Sequence, residues 1–246
     1  MSRLPNAGRG GLGGIKIART GAIALALSFV AASAWAAPDI SGMWLLSKPV
    51  PSLRTLDGKA PPLKPEATAL LQKRIADRKA GKAGDVADLC LPVGTPRSLL
   101  VPGPLLLLQT ARKVTFVHEF NHTLRAVYLD EKRNPAKDID PTFMGFSVGH
   151  WDGDALVVET TDFRGNTWLD QTGLPKSDNL KVTEHLRVTG KGATLEDVVT
   201  IDDPANYTAP WSAKISFKRA PRDMQMKEDV CALRLPMAAN VKDIAE

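Results

Sequence analysis

The sequence predicts a mainly β protein: an antiparallel meander that closes into a barrel or folds into a two-sheet sandwich, with one helix near residues 65–80. Segments rich in Val, Ile, Thr and aromatic residues recur from residue 105 onward, many with alternating apolar and polar positions. Turn sequences such as Asp152-Gly153-Asp154 and Gly190-Lys191-Gly192 separate them. Barrel and sandwich both follow from these observations, because each removes the exposed edges of a long meander.

The first 36 residues have the pattern of a cleaved signal peptide. A cationic leader without acidic residues precedes an apolar run over 21–32, and Ala34-Trp35-Ala36 supplies the small residues that a signal peptidase requires. The run is too short for a hydrocarbon core of roughly 30 Å. We therefore predict a periplasmic or secreted protein, with no stable membrane span after cleavage.

Charge also separates the leader from the rest of the chain. The full sequence has 32 Lys and Arg against 27 Asp and Glu, a formal net charge of +5. Four of the cations are in the leader, at Arg3, Arg9, Lys16 and Arg19. A nearly neutral mature protein gives no electrostatic reason to expect a nucleic-acid partner.

Residues 37–246 are predicted to form a single β-barrel-like domain that opens with a strand near 41–47. A Pro-rich connection follows, and Pro65 suits the first turn of a helix that stops at Gly81. One side of that helix is apolar, which predicts a packed surface helix; its members are Ala67, Leu70, Leu71 and Ile75.

Nine further strands are predicted from residue 105 onward. Their apolar content, alternation and bounding turn residues place them at 105–109, 112–120, 122–130, 145–151, 155–161, 180–189, 194–202, 211–218 and 224–231.

Cys90 and Cys231 are the two cysteines of the chain. In an oxidising compartment they are expected to pair, although two buried free thiols remain the alternative. A bridge would tie the start of the sheet region to its last predicted strand.

Two resemblances add to this pattern. Gly42-Met43-Trp44 resembles the G-x-W of lipocalin-like barrels, in which the tryptophan plugs one end of the barrel. Four longer segments resemble a large family of secreted, mostly uncharacterised bacterial proteins, which implies an exported β protein. They are C-L-P-V-G-T-P-R at 90–97, S-V-G-H-W-D-G-D-A-L-V-V-E-T-T at 147–161, T-W-L-D-Q-T-G-L-P-K-S-D at 167–178 and D-D-P-A-N-Y-T-A-P-W at 202–211.

This family often has histidine at the position of Lys176 and arginine at that of His185.

Strand periodicity turns several polar residues toward the apolar faces. Glu184, His118, Glu228 and Arg125 each alternate in step with apolar neighbours. If those faces share one interior, the four residues are inward polar groups of a ligand pocket, with the first three available for acid/base chemistry. The alternative is a buried Glu–Arg pair that only fixes strand register.

The remaining ligand-binding candidates are aromatic or lie in a loop. Trp44 and Trp151 would supply aromatic walls to the barrel. Residues 163–178 form a 16-residue connection, and a loop of this length in a compact domain is often a binding loop. Trp168 and Asp170 would offer a stacking surface and a charge at its mouth, or else Trp168 packs the loop down and Asp170 caps a turn.

His118-Glu119-Phe120-Asn121-His122 matches H-E-x-x-H literally, but its flanks favour strand. Four residues of strand span about 13 Å, so two histidines on one face cannot share a zinc ion. We predict no metal and no cofactor.

The function predicted first is binding of a small, partly apolar molecule in the barrel interior. The alternative is a cofactor-free acid/base enzyme, a lyase, isomerase or hydrolase, in which Glu184 acts with His118 or Glu228 on such a molecule. A third hypothesis is an envelope interaction protein without a pocket.

Overall fold

A computed structural model describes residues 37–82, 84–129, 140–165 and 167–231. The predicted signal peptide lies outside them. In this part of the chain nine strands form one closed barrel, in sequence order around its circumference. They are β1 (Gly42–Leu46), β2 (Pro104–Gln109), β3 (Lys113–His118), β4 (Leu124–Leu129), β5 (Phe146–Asp152), β6 (Ala155–Thr161), β7 (Lys181–Thr189), β8 (Thr194–Asp202) and β9 (Trp211–Arg219).

Closure of the sheet selects the barrel over the sandwich. β1 pairs with β9 in antiparallel register, Trp44 opposite Arg219, so the first and last strands leave no free edge between them. The sequence predicted a purely antiparallel meander, and the structure differs from it at one place. There β4 and β5 pair in parallel over three residues, from Val127↔Ser147 to Leu129↔Gly149. Parallel neighbours cannot be joined by a two-residue turn, and 16 residues separate β4 from β5 along the chain.

The interior of the barrel is a packed core. Burial alternates along several strands, most regularly in β8, where Leu195, Asp197, Val199 and Ile201 are 0% exposed. Large side chains from the other strands join the same cluster and fill the space along the axis, as expected for a small barrel. They include Trp44, Leu107, Phe116, Leu156 and Ile215.

The two ends of the barrel differ. Short turns at 110–112, 153–154 and 190–193 join strands at one end. Trp44 lies fully buried near this end, its indole Nε1 donates to Ile40 O at 3.0 Å, and the Arg219 guanidinium lies 4.2 Å from its ring centroid. Arg219 also donates to Ser41 O and Gly192 O, so it fastens the chain start to the β7–β8 turn. Long segments at 47–103, 162–180 and 203–210 cover the opposite end.

One α-helix, α1 (Pro65–Lys79), occurs within the described residues, as predicted. Its packing face differs from the predicted one: Ala67 is buried, whereas Leu70 and Ile75 are 39% and 42% exposed. Arg74 and Arg78 of the helix lie over the Trp168 ring, with their Cζ atoms 5.5 and 5.4 Å from its centroid. Cation–π contact and the apolar stems of these arginines add to the packing of the buried Ala67 and of Leu71, which is partly buried against the core.

Four short 3₁₀ helices complete the secondary structure of the described residues: Val86–Leu89, Arg97–Leu100, Phe120–His122 and Gly190–Gly192. No helix in this part of the chain is long and apolar enough to cross a membrane.

The strand predicted at 224–231 is wrong. This segment has no regular structure up to Val230, because the β1–β9 pairing has already closed the sheet and left no edge to extend. The predicted disulfide is present, with Cys90 and Cys231 bonded at a Cα–Cα distance of 5.6 Å. It therefore ties two irregular segments together, not two parts of the sheet.

Hydrogen bonds reinforce this junction against the β3–β4 turn. The amide of Asn121 donates to Cys90 O, and the backbone N–H groups of Lys227 and Asp229 donate to Glu119 and His122. The disulfide and these hydrogen bonds thus attach residues 227–231 to the end of the barrel that the long segments cover, which we call the long-loop end.

Replacing both cysteines by serine should lower the free energy of unfolding by about 2–5 kcal/mol, because the bridge closes a loop of 141 residues. Denaturant unfolding of Cys90→Ser/Cys231→Ser against the oxidised wild type measures the loss. Reducing the wild type should reproduce it, and equal midpoints for the oxidised and reduced proteins would contradict the prediction.

Candidate functional site

A polar cluster centred on Arg125 lies inside the barrel. The guanidinium is 2% exposed and donates through Nη1 to Glu184 Oε1 at 2.9 Å and through Nη2 to Oε2. It also donates to Ser147 Oγ at 2.9 Å and Thr160 Oγ1 at 2.7 Å. Glu184 is 0% exposed. The prediction that these two charged residues face one interior is confirmed.

Strand register explains why these residues meet. Arg125, Ser147, Thr160 and Glu184 occupy inward positions on four successive strands, β4 to β7. Ser147 pairs with Thr160 across β5 and β6, and their hydroxyls are 2.9 Å apart. Arg125 therefore reaches over both hydroxyls to the Glu184 carboxylate, and Phe116 supports its other side, with the ring centroid 5.0 Å from Cζ.

Asp197 is a second carboxyl group in the cluster. It lies on β8, is fully buried, and neither of its oxygens has a hydrogen-bond partner among the described residues. Burial, and then repulsion from the nearby Glu184 carboxylate, raise its pKa well above the usual range, although Arg125 acts in the opposite direction. One guanidinium facing two carboxyl groups is best neutralised when Asp197 keeps its proton.

Sequence reasoning missed Asp197, although the rule that found Glu184 applies to it. It alternates in step with Leu195, Val199 and Ile201 on the apolar face of β8.

His118 shares the interior but takes no part in an acid/base pair. It is 3% exposed, and burial together with the positive charge of Arg125 lowers its pKa to about 3. Its Nε2 has no partner among the described residues, and neither has Ser98 Oγ. Both residues line a cavity of about 10 Å³, which is room for roughly one water molecule.

Glu228 is separate from these groups. Because 224–231 is not a strand, its side chain is exposed outside the barrel, and the predicted inward orientation is wrong. The other histidine of the H-E-x-x-H sequence, His122, is also exposed, and its Nε2 accepts the backbone N–H of Asp229 at 3.0 Å. The structure thus brings together three of the four inward polar candidates.

The aromatic and loop candidates are distributed over both ends. Trp44 and the half-buried Trp151 belong to the short-turn end. Trp168 is 5% exposed and lies among three guanidinium groups at the long-loop end. Asp170 is 0% exposed and accepts from the backbone N–H groups of Leu53, Thr172 and Leu174, so it caps a turn in the 163–178 loop.

Larger hollows lie outside the barrel core. We call the first the rim groove, which has a volume of about 380 Å³ and lies where β1 and β9 meet the Pro-rich segments. It is lined by Leu45, Leu46, Pro49, Val50, Pro51, Leu100, Pro102, Gly103, Gln171 and Lys218.

A second hollow of about 270 Å³ shares Val50 with the rim groove and is otherwise polar, lined by Ser47, Lys48, Lys214 and Ser216. A third, which we call the polar groove, has a volume of about 830 Å³ and is lined by Asp140, Pro141, Arg164, Gly165, Ser177 and Asp178.

Within the described residues, no group of three or more His, Cys, Asp or Glu side chains is arranged to hold a metal ion. No known family model matches the chain, and no curated protein is significantly similar to it in sequence. The resemblance to secreted bacterial proteins stays a prediction.

Replacing Asp197 by Asn should raise stability at pH 8 and flatten its pH dependence. A raised pKa means that folding takes up a proton above about pH 4, so the wild type loses up to about 1.4 kcal/mol of unfolding free energy per pH unit from this group until the folded-state pKa is passed. Denaturant unfolding from pH 4 to 9 measures the slope. Asp152→Asn, at an exposed turn position, is the control, and identical slopes in all three proteins would refute the assignment.

A double-mutant cycle should show that the two carboxyl groups substitute for each other. In Glu184→Gln, Asp197 stays buried, but the repulsion from Glu184 is lost while the attraction of Arg125 remains. Asp197 can therefore ionise and compensate Arg125. The double variant with Asp197→Asn leaves a buried guanidinium without a counterion, which costs about 3–5 kcal/mol. We expect a loss at least about 2 kcal/mol larger than the sum of the single effects; additivity within about 0.5 kcal/mol would contradict it.

Proposed function

We propose that the protein binds a small, partly apolar molecule that carries a negative charge, and that the ligand lies in the rim groove. The observation that carries the proposal is the composition of this groove: a mostly apolar lining closed at one side by an exposed lysine. Its volume of about 380 Å³ falls within the usual range for small-molecule sites.

The barrel interior offers less support for binding. Side chains of the core cluster fill it around the Arg125 cluster. The proposal therefore keeps the ligand class predicted from the sequence and moves its site from the interior to the rim.

The walls of the rim groove are held in place before any ligand arrives. Gln171 donates from its side-chain amide to Leu100 O at 2.9 Å and from its backbone N–H to Pro51 O at 3.2 Å, joining three segments distant in sequence. Pro49 and Pro102 restrict the backbone on either side. A preformed groove loses little conformational entropy on binding.

Charge favours an anion. Lys218 lies opposite Leu45 in the β1–β9 register, so its ammonium group borders the apolar wall. Lys48 and Lys214 follow in the adjoining hollow, where Lys214 pairs with Glu196 at 2.7 Å. No described residue places a carboxylate within salt-bridge distance of Lys48 or Lys218.

Binding is favoured over the acid/base alternative by the state of the candidate residues. Both Glu184 oxygens accept from Arg125, and Glu228 is exposed outside the barrel. The disulfide is compatible with a protein that works outside the cytoplasm, as the leader predicts.

Decanoate should bind the protein, and decyltrimethylammonium, with the same tail and opposite charge, should bind far more weakly. Lys218→Glu should weaken decanoate binding about twofold to fivefold, since an exposed ion pair contributes up to about 1 kcal/mol. Val50→Asp should abolish binding by placing a carboxylate on the apolar wall. Isothermal titration calorimetry measures all four affinities.

Lys181→Glu is the matched control, because Lys181 is an exposed strand lysine that pairs with Glu159, outside the rim groove. Its decanoate affinity should stay within about twofold of the wild type. Absence of decanoate binding to the wild type, or equal affinity of the wild type for decanoate and decyltrimethylammonium, would refute the proposal.

A further inference from the structure

Lys176 is a buried cation that the proposed function does not use. It lies at the end of a small hairpin over 167–176, in which the backbone N–H of Leu169 donates to Leu174 O at 2.9 Å and Trp168 bridges Pro175. Antiparallel pairing of Trp168 with Pro175 sets Thr167 opposite Lys176, with their side chains on the same face. The hairpin covers the long-loop end of the barrel.

The ammonium group has no hydrogen-bond acceptor. Lys176 is 5% exposed, and its Nζ lies 4.4 Å from the centroid of the Phe163 ring, without a partner among the described residues. The buried hydroxyls of Thr95 and Thr167 also lack partners. Thr167 lies against the 94–95 segment, since a Cβ built at Gly94 would be 3.3 Å from its Oγ1.

The nearest acids do not compensate this cation. Asp203 accepts from the backbone N–H and hydroxyl of Ser177 and from the amide of Asn206, so its oxygens are already occupied. Burial outweighs the attraction of Asp178 and Asp203 and lowers the pKa of Lys176 to about 8. The neutral fraction of the amine at pH 7 is then about 300-fold larger than for an ordinary lysine, whose pKa is 10.5.

The polar groove is built from the same two chain segments as the surroundings of Lys176. Ser177 and Asp178 follow the lysine directly, and Arg164 and Gly165 follow Phe163, whose ring the amine covers. Arg164 Nε donates to Pro141 O at 2.9 Å, which fixes the base of its guanidinium. Its two terminal nitrogens have no acceptor in the described residues, so a guanidinium stands in the groove with capacity for a carboxylate.

We propose that Lys176 is an amine nucleophile for small aldehydes or 2-oxo acids that enter from the polar groove, with Arg164 binding their carboxylate. Lys176 is buried next to Ser177 and Asp178, which line the groove, so an unpartnered amine and a carboxylate-binding cation belong to adjoining parts of the chain, as such a substrate requires.

The reaction is an imine formation. The Nζ lone pair of the neutral amine attacks the carbonyl carbon, forming a C–N bond while the C=O π electrons move to oxygen. One proton then passes from the nitrogen to that oxygen. The resulting carbinolamine then loses a proton from nitrogen and its hydroxyl as water, leaving the C=N bond. No oxidation or reduction takes place. Because Lys176 is buried, the substrate reaches it through a local opening of the chain at 176–178, which borders the polar groove.

Glyoxylate with sodium cyanoborohydride at pH 7 tests the proposal, because the reagent reduces the imine to a stable carboxymethyl-lysine that peptide mass mapping locates. In the folded wild type we expect Lys176 to be modified at least about tenfold faster than Lys181, which is 42% exposed. Arg164→Met should slow modification by glyoxylate but not by acetaldehyde, which has no carboxylate. Lys176→Arg should remove the fast site, with its fold checked by circular dichroism.

The mapping of the wild type is decisive even if the Lys176 variant misfolds. Modification of surface lysines while Lys176 reacts only after unfolding would overturn the proposal. Equal slowing of both aldehydes in Arg164→Met would overturn the role of the arginine. Lys218→Glu should leave the labelling unchanged, so this test and that of the rim groove succeed or fail separately.

Discussion

The guanidinium of Arg125 constrains the barrel interior more than any other single group. A buried cation must be hydrogen-bonded and neutralised, because the cost of removing it from water is several kcal/mol. Ser147, Thr160 and Glu184 meet that requirement from three successive strands. The same contacts cross the parallel β4–β5 pair, whose register is otherwise set by three residue pairs. The buried ion pair therefore also fixes the joint at which the antiparallel order of the barrel is interrupted.

Closure of the sheet determines where the chain can offer a surface to other molecules. The barrel is filled by its own side chains, and the short-turn end is plugged by Trp44 and Arg219. The long segments that carry hollows gather at the other end, where the 163–178 loop contributes Gln171 to the rim groove and Ser177 to the polar groove. Asp170 holds that loop through the backbone of Leu53. Its role as a turn cap thus supports both grooves without touching a ligand.

Local pattern was sufficient to predict most of the fold. Alternation located the strands and the inward orientation of Glu184, Arg125 and His118, and Pro65 located the start of α1, because each of these signals acts within a few residues. The alternation of Met224, Met226, Glu228 and Val230 predicted a strand that does not form. A further strand would need a free sheet edge, and the free edge of β9 is already paired with β1. The parallel β4–β5 pair joins positions 20 residues apart, such as Val127 and Ser147, and the rim groove joins segments about 50 or more residues apart. One sequence has no local signal for either contact.

Arg125 and Lys176 show why burial of a charged residue is weak evidence for function until its partners are known. Both are buried inside the protein, but only the inward orientation of Arg125 was predicted from the sequence. Every guanidinium nitrogen of Arg125 donates to an acceptor, and the Glu184 carboxylate neutralises its charge. The role of Arg125 is therefore structural. Lys176 has the Phe163 ring beneath it and no hydrogen-bond acceptor among the described residues. An ion pair holds a group in its charged state, whereas burial without a partner favours the neutral amine, which is the form that reacts.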